Sequence, residues 1–278
     1  MLLAAGLLAG MAGARIVAGR RAALAAAAQP AMTEGSRAPV LVELFTSEGC
    51  SSCPPADGLL VRLVQQQPVE GVEIIALEEH VDYWNRLGWV DPFSSEGFTA
   101  RQSRYSDAFG QDQIYTPQMV VDGRAEFVGS DESRAEKAIE HAAQVKKARV
   151  QIDRLPNPGR PESLMVAVRV NGLEAAQPAD VLVAITEDKL STPVPRGENA
   201  GHHWEHSSVV RVSHAIGEVK LGAAEFSGKA SLSLPGAWRR ENLRVVVFVQ
   251  EQKSRHILGV SAVALAKFLA PPAEGQSH

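Results

Sequence analysis

Apolar residues recur along this chain with two different periods, and the pattern changes near residue 145. Residues 40–45 form an apolar run broken only by Glu43, as expected of a strand buried on both faces. Leu59, Leu60, Leu63 and Val64 then recur at spacings of three and four, which predicts a helix over 53–67 that stops before Pro68. A second strand is predicted over 72–77 and a second helix over 98–109. Residues 115–121 read as a third strand running into a turn at Asp122-Gly123, with 125–128 as its return strand. Ser130 or Asp131 can cap a last helix that reaches Val145. The predicted order is β-α-β-α-β-β-α.

Beyond this point the apolar runs are short and several alternate strictly, at 149–154, 164–170, 181–186, 208–214, 230–234, 243–250 and 256–263. Turn formers separate them, notably at 156–161, 193–199 and Pro235-Gly236. Short strands at regular spacing predict a β-sandwich. The expected organisation is therefore an α/β domain over 38–147 followed by an all-β, sandwich-like domain over 148–270.

Residues 1–31 stand apart from this organisation. They hold no acidic residue, and small and apolar residues are interrupted by Arg15, Arg20 and Arg21. This predicts an export leader with cleavage near residues 26–31, and hence a periplasmic or secreted protein. No long apolar stretch follows, so no membrane span is expected in the mature chain. A net charge of −4 supplies no basic field for nucleic acid. An exported chain meets an oxidising compartment, where a pair of thiols rests as a disulfide.

The chain has two cysteines, and they are close together: Cys50-Ser51-Ser52-Cys53-Pro54-Pro55. They lie where the first strand hands over to the first helix. Prolines lack a backbone N–H and are tolerated at a helix start, so Cys50 is expected near a helix N-terminus. Unpaired N–H groups and the helix dipole there favour a thiolate. Three readings follow: a redox pair, a soft-metal site or a local staple. Zinc ordinarily needs two further ligands at fitting spacing, and no second cysteine pair exists. A loop this small closes little unfolded-state entropy, which weighs against a purely structural staple.

Strand, Cys-x-x-Cys-Pro and helix, followed by Thr116-Pro117 at the mouth of the third strand, resemble the thioredoxin fold. The resemblance implies a thioredoxin-like N-terminal domain and a cis peptide before Pro117. It also implies a catalytic set of Cys50 as nucleophile, Cys53 as resolving thiol, Thr116 and Pro117 as the partner-binding edge, and Glu43 as a proton carrier to the second thiol. Residues 43–57, His80-Val-Asp-Tyr-Trp84, Leu87-Gly-Trp89, Asp91-Pro-Phe93, Arg101-Gln102 and 115–121 together resemble a secreted bacterial family filed as domain of unknown function 1223. Two departures from ordinary thioredoxins are Gly49, where an aromatic residue is usual, and the Ser51-Ser52 dipeptide.

The expected function is an exported thiol–disulfide oxidoreductase that acts on a thiol- or disulfide-bearing protein and needs no cofactor. The alternative is a non-catalytic copper-handling protein that binds Cu(I) through Cys50, Cys53 and His80. His80 can equally fix its loop through Asp82, and Arg101 can pair with Asp82 or Asp91. Trp84 and Trp89 are expected to pack rather than stack on substrate. His202 and His206 would share a helix face, but the segment follows a Pro/Gly/Asn-rich loop and precedes a strand. It is therefore expected to be a polar loop or an interdomain contact.

Overall fold

The structure is a computed structural model that describes residues 37–160 and 162–269. The leader expected over 1–31 lies outside the described residues. Everything described belongs to one compact unit that begins at Arg37.

Strand β1 (Ala38–Thr46) leads through the cysteine turn into helix α1 (Pro54–Gln66) and strand β2 (Val72–His80). Helix α2 (Glu96–Phe109), the hairpin β3 (Gln118–Val121) and β4 (Ala125–Val128), and helix α3 (Glu132–Ala143) follow. Local chemistry sets these limits. Ser95 caps α2 by accepting from the Gly97 N–H, and Asp131 caps α3 by accepting from Arg134. Helix α1 ends at Gln67 in the left-handed region, φ 49°, where its amide side chain is bonded to the backbone of Ile74 on both sides, 2.7 and 3.0 Å. That pair of bonds fixes the approach of α1 to β2.

The rest of the chain is almost entirely strand: β5 (Arg149–Leu155), β6 (Ser163–Asn171), β7 (Ala179–Glu187), β8 (Leu190–Pro193), β9 (His203–His206), β10 (Val209–Val219), β11 (Glu225–Ser233), β12 (Leu243–Glu251) and β13 (Ile257–Ala264), closed by a short helix α4 (Leu265–Leu269). These strands do not stay apart from the first segment. One eight-stranded mixed sheet runs β13-β12-β7-β10-β2-β1-β3-β4. The seam is the parallel contact of β10 with β2, where Val209 faces Glu78 and the Glu78 N–H donates to the Ser208 carbonyl at 2.9 Å. A second sheet, β11-β6-β5, packs on β7 and β12 through Val166, Val168, Val181, Val183, Val245 and Val247.

A thioredoxin-like α/β domain followed by an all-β sandwich is thus not the architecture. The described residues are 42% strand and 21% helix, with four α-helices and one sheet shared by both halves. The physical reason lies at the β2 edge. Residues Ile75 and Leu77 of β2 and Leu41 of β1 bury their side chains against Ala184, Val210, Val246, Phe248, Ile257 and Val260 from the second half. Periodicity marked the strands but could not say which edge each would join.

This shared core predicts that a fragment ending at residue 147 will not fold alone. It would expose the β2 edge and the apolar side chains just named. Circular dichroism and urea titration of residues 37–147 should show no cooperative transition. A cooperative one would mean that the first segment is self-sufficient.

Candidate functional site

Cys50 and Cys53 are joined in a disulfide with Cα atoms 5.4 Å apart. Cys53 is the N-cap residue of α1, with Pro54 and Pro55 opening the helix. Both cysteines are fully buried, whereas Ser51 and Ser52 between them are exposed. The turn is held from the second half of the chain: the Asn199 amide donates to the carbonyls of Glu48 and Cys50, at 2.9 and 3.0 Å. The Thr116 hydroxyl donates to Cys50 Sγ at 3.3 Å and accepts from the Trp84 indole N–H at 2.8 Å. The Thr116–Pro117 peptide is cis. Gly49 makes room for this arrangement, since a Cβ there would lie 3.2 Å from Trp84 Cβ.

One electrostatic expectation is corrected by this geometry. The first two helical positions are prolines without an N–H, and the next two, Ala56 and Asp57, both donate to the Cys53 carbonyl, at 2.8 and 3.1 Å. The helix start therefore offers the sulfurs little direct hydrogen bonding. The polar contacts of Cys50 Sγ are the hydroxyls of Thr116 and of Ser52, the latter 3.4 Å away.

Glu43 is not brought to the pair. Side chains of β1 alternate, so Val42 and Leu44 face α1 and α3 while Glu43 and Phe45 face α2. Arg101 of α2 grips Glu43 through two bonds of 2.8 and 2.9 Å, and the Tyr105 hydroxyl adds a third at 2.6 Å. Gln250 of β12 accepts from Arg101 and from Arg255 and donates to Tyr105, tying this cluster to the second half. Arg101 thus pairs with Glu43 rather than Asp82 or Asp91. Glu79, 3.3 Å from Arg101, has two buried oxygens without a hydrogen-bond partner. Burial raises its carboxyl to about 8, with Glu43 adding to the effect and Arg101 opposing it.

The opposite face of β2 carries Glu78 and His80, pointing toward α1. His80 Nδ1 lies 2.7 Å from Asp91 Oδ2, and His206 Nδ1 lies 2.7 Å from Glu78 Oε1. Glu48 stands 3.3 Å from His206 Nε2 and accepts from the Trp89 indole at 2.7 Å. Burial works against charging His80, yet the charge and hydrogen bond of Asp91, with help from Glu78, raise it to about 9. Asp57, one helical turn after Cys53, is lifted to about 7 by burial and by Glu78, while it accepts from the Thr46 hydroxyl at 2.6 Å. His80 therefore keeps company with carboxylates and a second histidine, and the cysteines are spent on each other.

Sequence reasoning offered His206 as part of a polar loop or an interdomain contact; it is a contact between the two halves, with Glu78, but its burial was not foreseen. Its segment is the strand β9, not a helix, so His202 and His206 do not share a helix face. His202 is exposed and stacks on Trp204, while His206 is buried. The available signal was the charge content of β2: three titratable residues ending an apolar strand require buried partners. Nothing in the sequence told which residues supply them.

Residues 41–250 match the sequence profile of the family described as Protein of unknown function (DUF1223). The chain belongs to this family. The solved structure of a structural-genomics target protein from Agrobacterium tumefaciens is 26% identical with a TM-score of 0.61, over 86% of this chain and 97% of that one. HBP35 of Porphyromonas gingivalis shares the fold at 15% identity and a TM-score of 0.62, over 87% of this chain and 79% of that one. No curated protein matches.

Two outcomes follow for this DUF1223 chain. Trp84→Ala removes the indole that holds Thr116 over Cys50, so the disulfide should be reduced several-fold faster by a small thiol, as measured by thiol trapping. An unchanged rate would mean that Trp84 does not guard the sulfur. The second concerns Glu79. Its carboxyl sits near 8 when folded against an ordinary 4.5, so the folded state holds a proton that the unfolded chain has lost between these values. Stability from this group is therefore lost as pH rises from about 4.5 to about 8. Glu79→Gln should flatten that decline in urea titrations from pH 5 to 8; parallel pH profiles would contradict it.

Proposed function

We propose that this protein is an exported thiol–disulfide oxidoreductase whose redox centre is the Cys50–Cys53 pair. The observation that carries the reading is the Thr116 hydroxyl donating to Cys50 Sγ at a disulfide placed at the start of α1. A hydroxyl in that position stabilises the thiolate that forms when the disulfide opens. The disulfide spans a sequence separation of three, so bracing the fold is a minor job for it. The eight-stranded sheet and the buried ion pairs perform that job.

The exchange has two steps. A partner thiolate attacks Cys50 Sγ, the Cys50–Cys53 bond breaks, and Cys53 leaves as a thiolate that takes up a proton. A second partner thiolate then attacks the mixed disulfide and releases Cys50 as a thiolate beside Thr116. The partner is oxidised by two electrons and the pair is reduced by two; the reverse sequence reduces a partner disulfide. Because both sulfurs are buried, the partner must open the turn to reach Cys50. The small exposed Ser51 and Ser52 leave the approach to the turn clear.

The test uses single-cysteine variants. In Cys53→Ser the Cys50 thiol should titrate below the ordinary value of about 8.5 and trap a mixed disulfide with disulfide-bearing peptide substrates, releasing one peptide thiolate. The wild type should catalyse insulin reduction by a thiol donor, and Cys50→Ser should abolish it. An ordinary Cys50 titration, together with wild-type activity no greater than that of Cys50→Ser, would reject the reading.

A further inference from the structure

The buried cluster on the α1 face has an arrangement that the disulfide chemistry does not use. The inner ring nitrogens, His80 Nε2 and His206 Nδ1, lie 3.5 and 2.7 Å from one atom, Glu78 Oε1. The outer ring nitrogens face separate carboxylates: His80 Nδ1 faces Asp91 at 2.7 Å and His206 Nε2 faces Glu48 at 3.3 Å. These carboxylates are themselves fixed. Asp91 accepts from the N–H groups of Glu48 and Phe93, and Glu48 accepts from Trp89. The second oxygen of Glu78 accepts from the Ser207 N–H at 3.0 Å, which leaves Oε1 turned toward the rings. One ligating atom from each of Glu78, His80 and His206 falls within 4.8 Å of the other two, and all three side chains are buried. His80 Nε2 has no hydrogen-bond partner.

We propose that Glu78, His80 and His206 form a site for a divalent transition-metal ion, with zinc the best match to the donor set. Two imidazoles and one carboxylate are the nitrogen and oxygen donors that zinc accepts in tetrahedral sites, with a fourth position left to water. Donors on one tetrahedral zinc stand roughly 3.3 Å apart, given bonds of about 2.0–2.1 Å. The His80–Glu78 separation already meets this, and the His206–Glu78 contact must open by about half an ångström. The outer nitrogen of His80, held by Asp91 at 2.7 Å, leaves its inner lone pair for the ion, as carboxylates behind metal-binding histidines do, and Glu48 stands 3.3 Å behind His206 Nε2.

The test uses the full chain with its disulfide intact, stripped by chelator and titrated with Zn²⁺ by calorimetry and with Co²⁺ by visible absorption. The expected result is saturable binding of one ion, with Co²⁺ bands of a tetrahedral nitrogen–oxygen site and no thiolate charge-transfer band. Asp91→Asn should weaken binding by roughly 10- to 100-fold, and Glu78→Gln and His206→Ala by more. Binding should persist in the Cys50→Ser, Cys53→Ser double variant, which separates this site from the redox pair. Absence of saturable binding to the wild type would overturn the proposal and leave a cluster of ion pairs. So would unchanged affinity in Asp91→Asn, or in Glu78→Gln and His206→Ala proteins with native circular dichroism.

Discussion

The parallel contact between β10 and β2 is the constraint on which the rest of this molecule depends. Only one residue pair is in register there, Val209 with Glu78, but it converts two runs of strands into a single sheet. It also sets the position of everything just upstream of β10. His206, Ser207 and Ser208 arrive beside Glu78 because the chain must enter the sheet at that edge. Asn199 reaches the cysteine turn from the loop before β9. The site that bears both cysteines is therefore shaped by residues some 150 positions later in the chain.

Charge burial follows from the same sheet. A central strand has two faces, and each must be covered. On β2, Glu78 and His80 turn toward α1 while Glu79 turns toward α2. On the first face Glu78 meets His206 and His80 meets Asp91; on the second Arg101 pairs with Glu43, and burial holds the Glu79 carboxyl well above its ordinary value. Each cluster mixes residues from both halves, so removing one partner leaves an uncompensated buried charge, a loss of about 3–5 kcal/mol. These polar clusters fix the register of the sheet in a way that the valine-rich cores alone do not.

The sequence carried the order of elements in the first segment, because apolar spacing, helix caps and the Asp122-Gly123 turn are local signals. It also carried the cysteine pair and the nearness of Thr116 to it. What it could not carry was pairing at a distance. The strand β10 alternates as a sandwich strand would, and nothing in that alternation says it will dock on β2. Glu43 illustrates the same limit on a smaller scale. A one-residue change of strand phase decides whether it meets Cys53 or Arg101, and phase is fixed by the packing of α1 and α2. The burial of His206 and its partner lay hidden because its neighbours suggested a loop, whereas β9 alternates and turns it inward.

Native-state hydrogen exchange at the Glu78 amide tests the central claim most directly, since that N–H donates across the seam to the Ser208 carbonyl. If the two halves are one folding unit, this amide should exchange only through global unfolding, with an opening free energy equal to that from urea titration. An opening free energy well below the global value, shared by amides of β10 and β7 but not of β1, would show that the second half detaches by itself and would contradict the account.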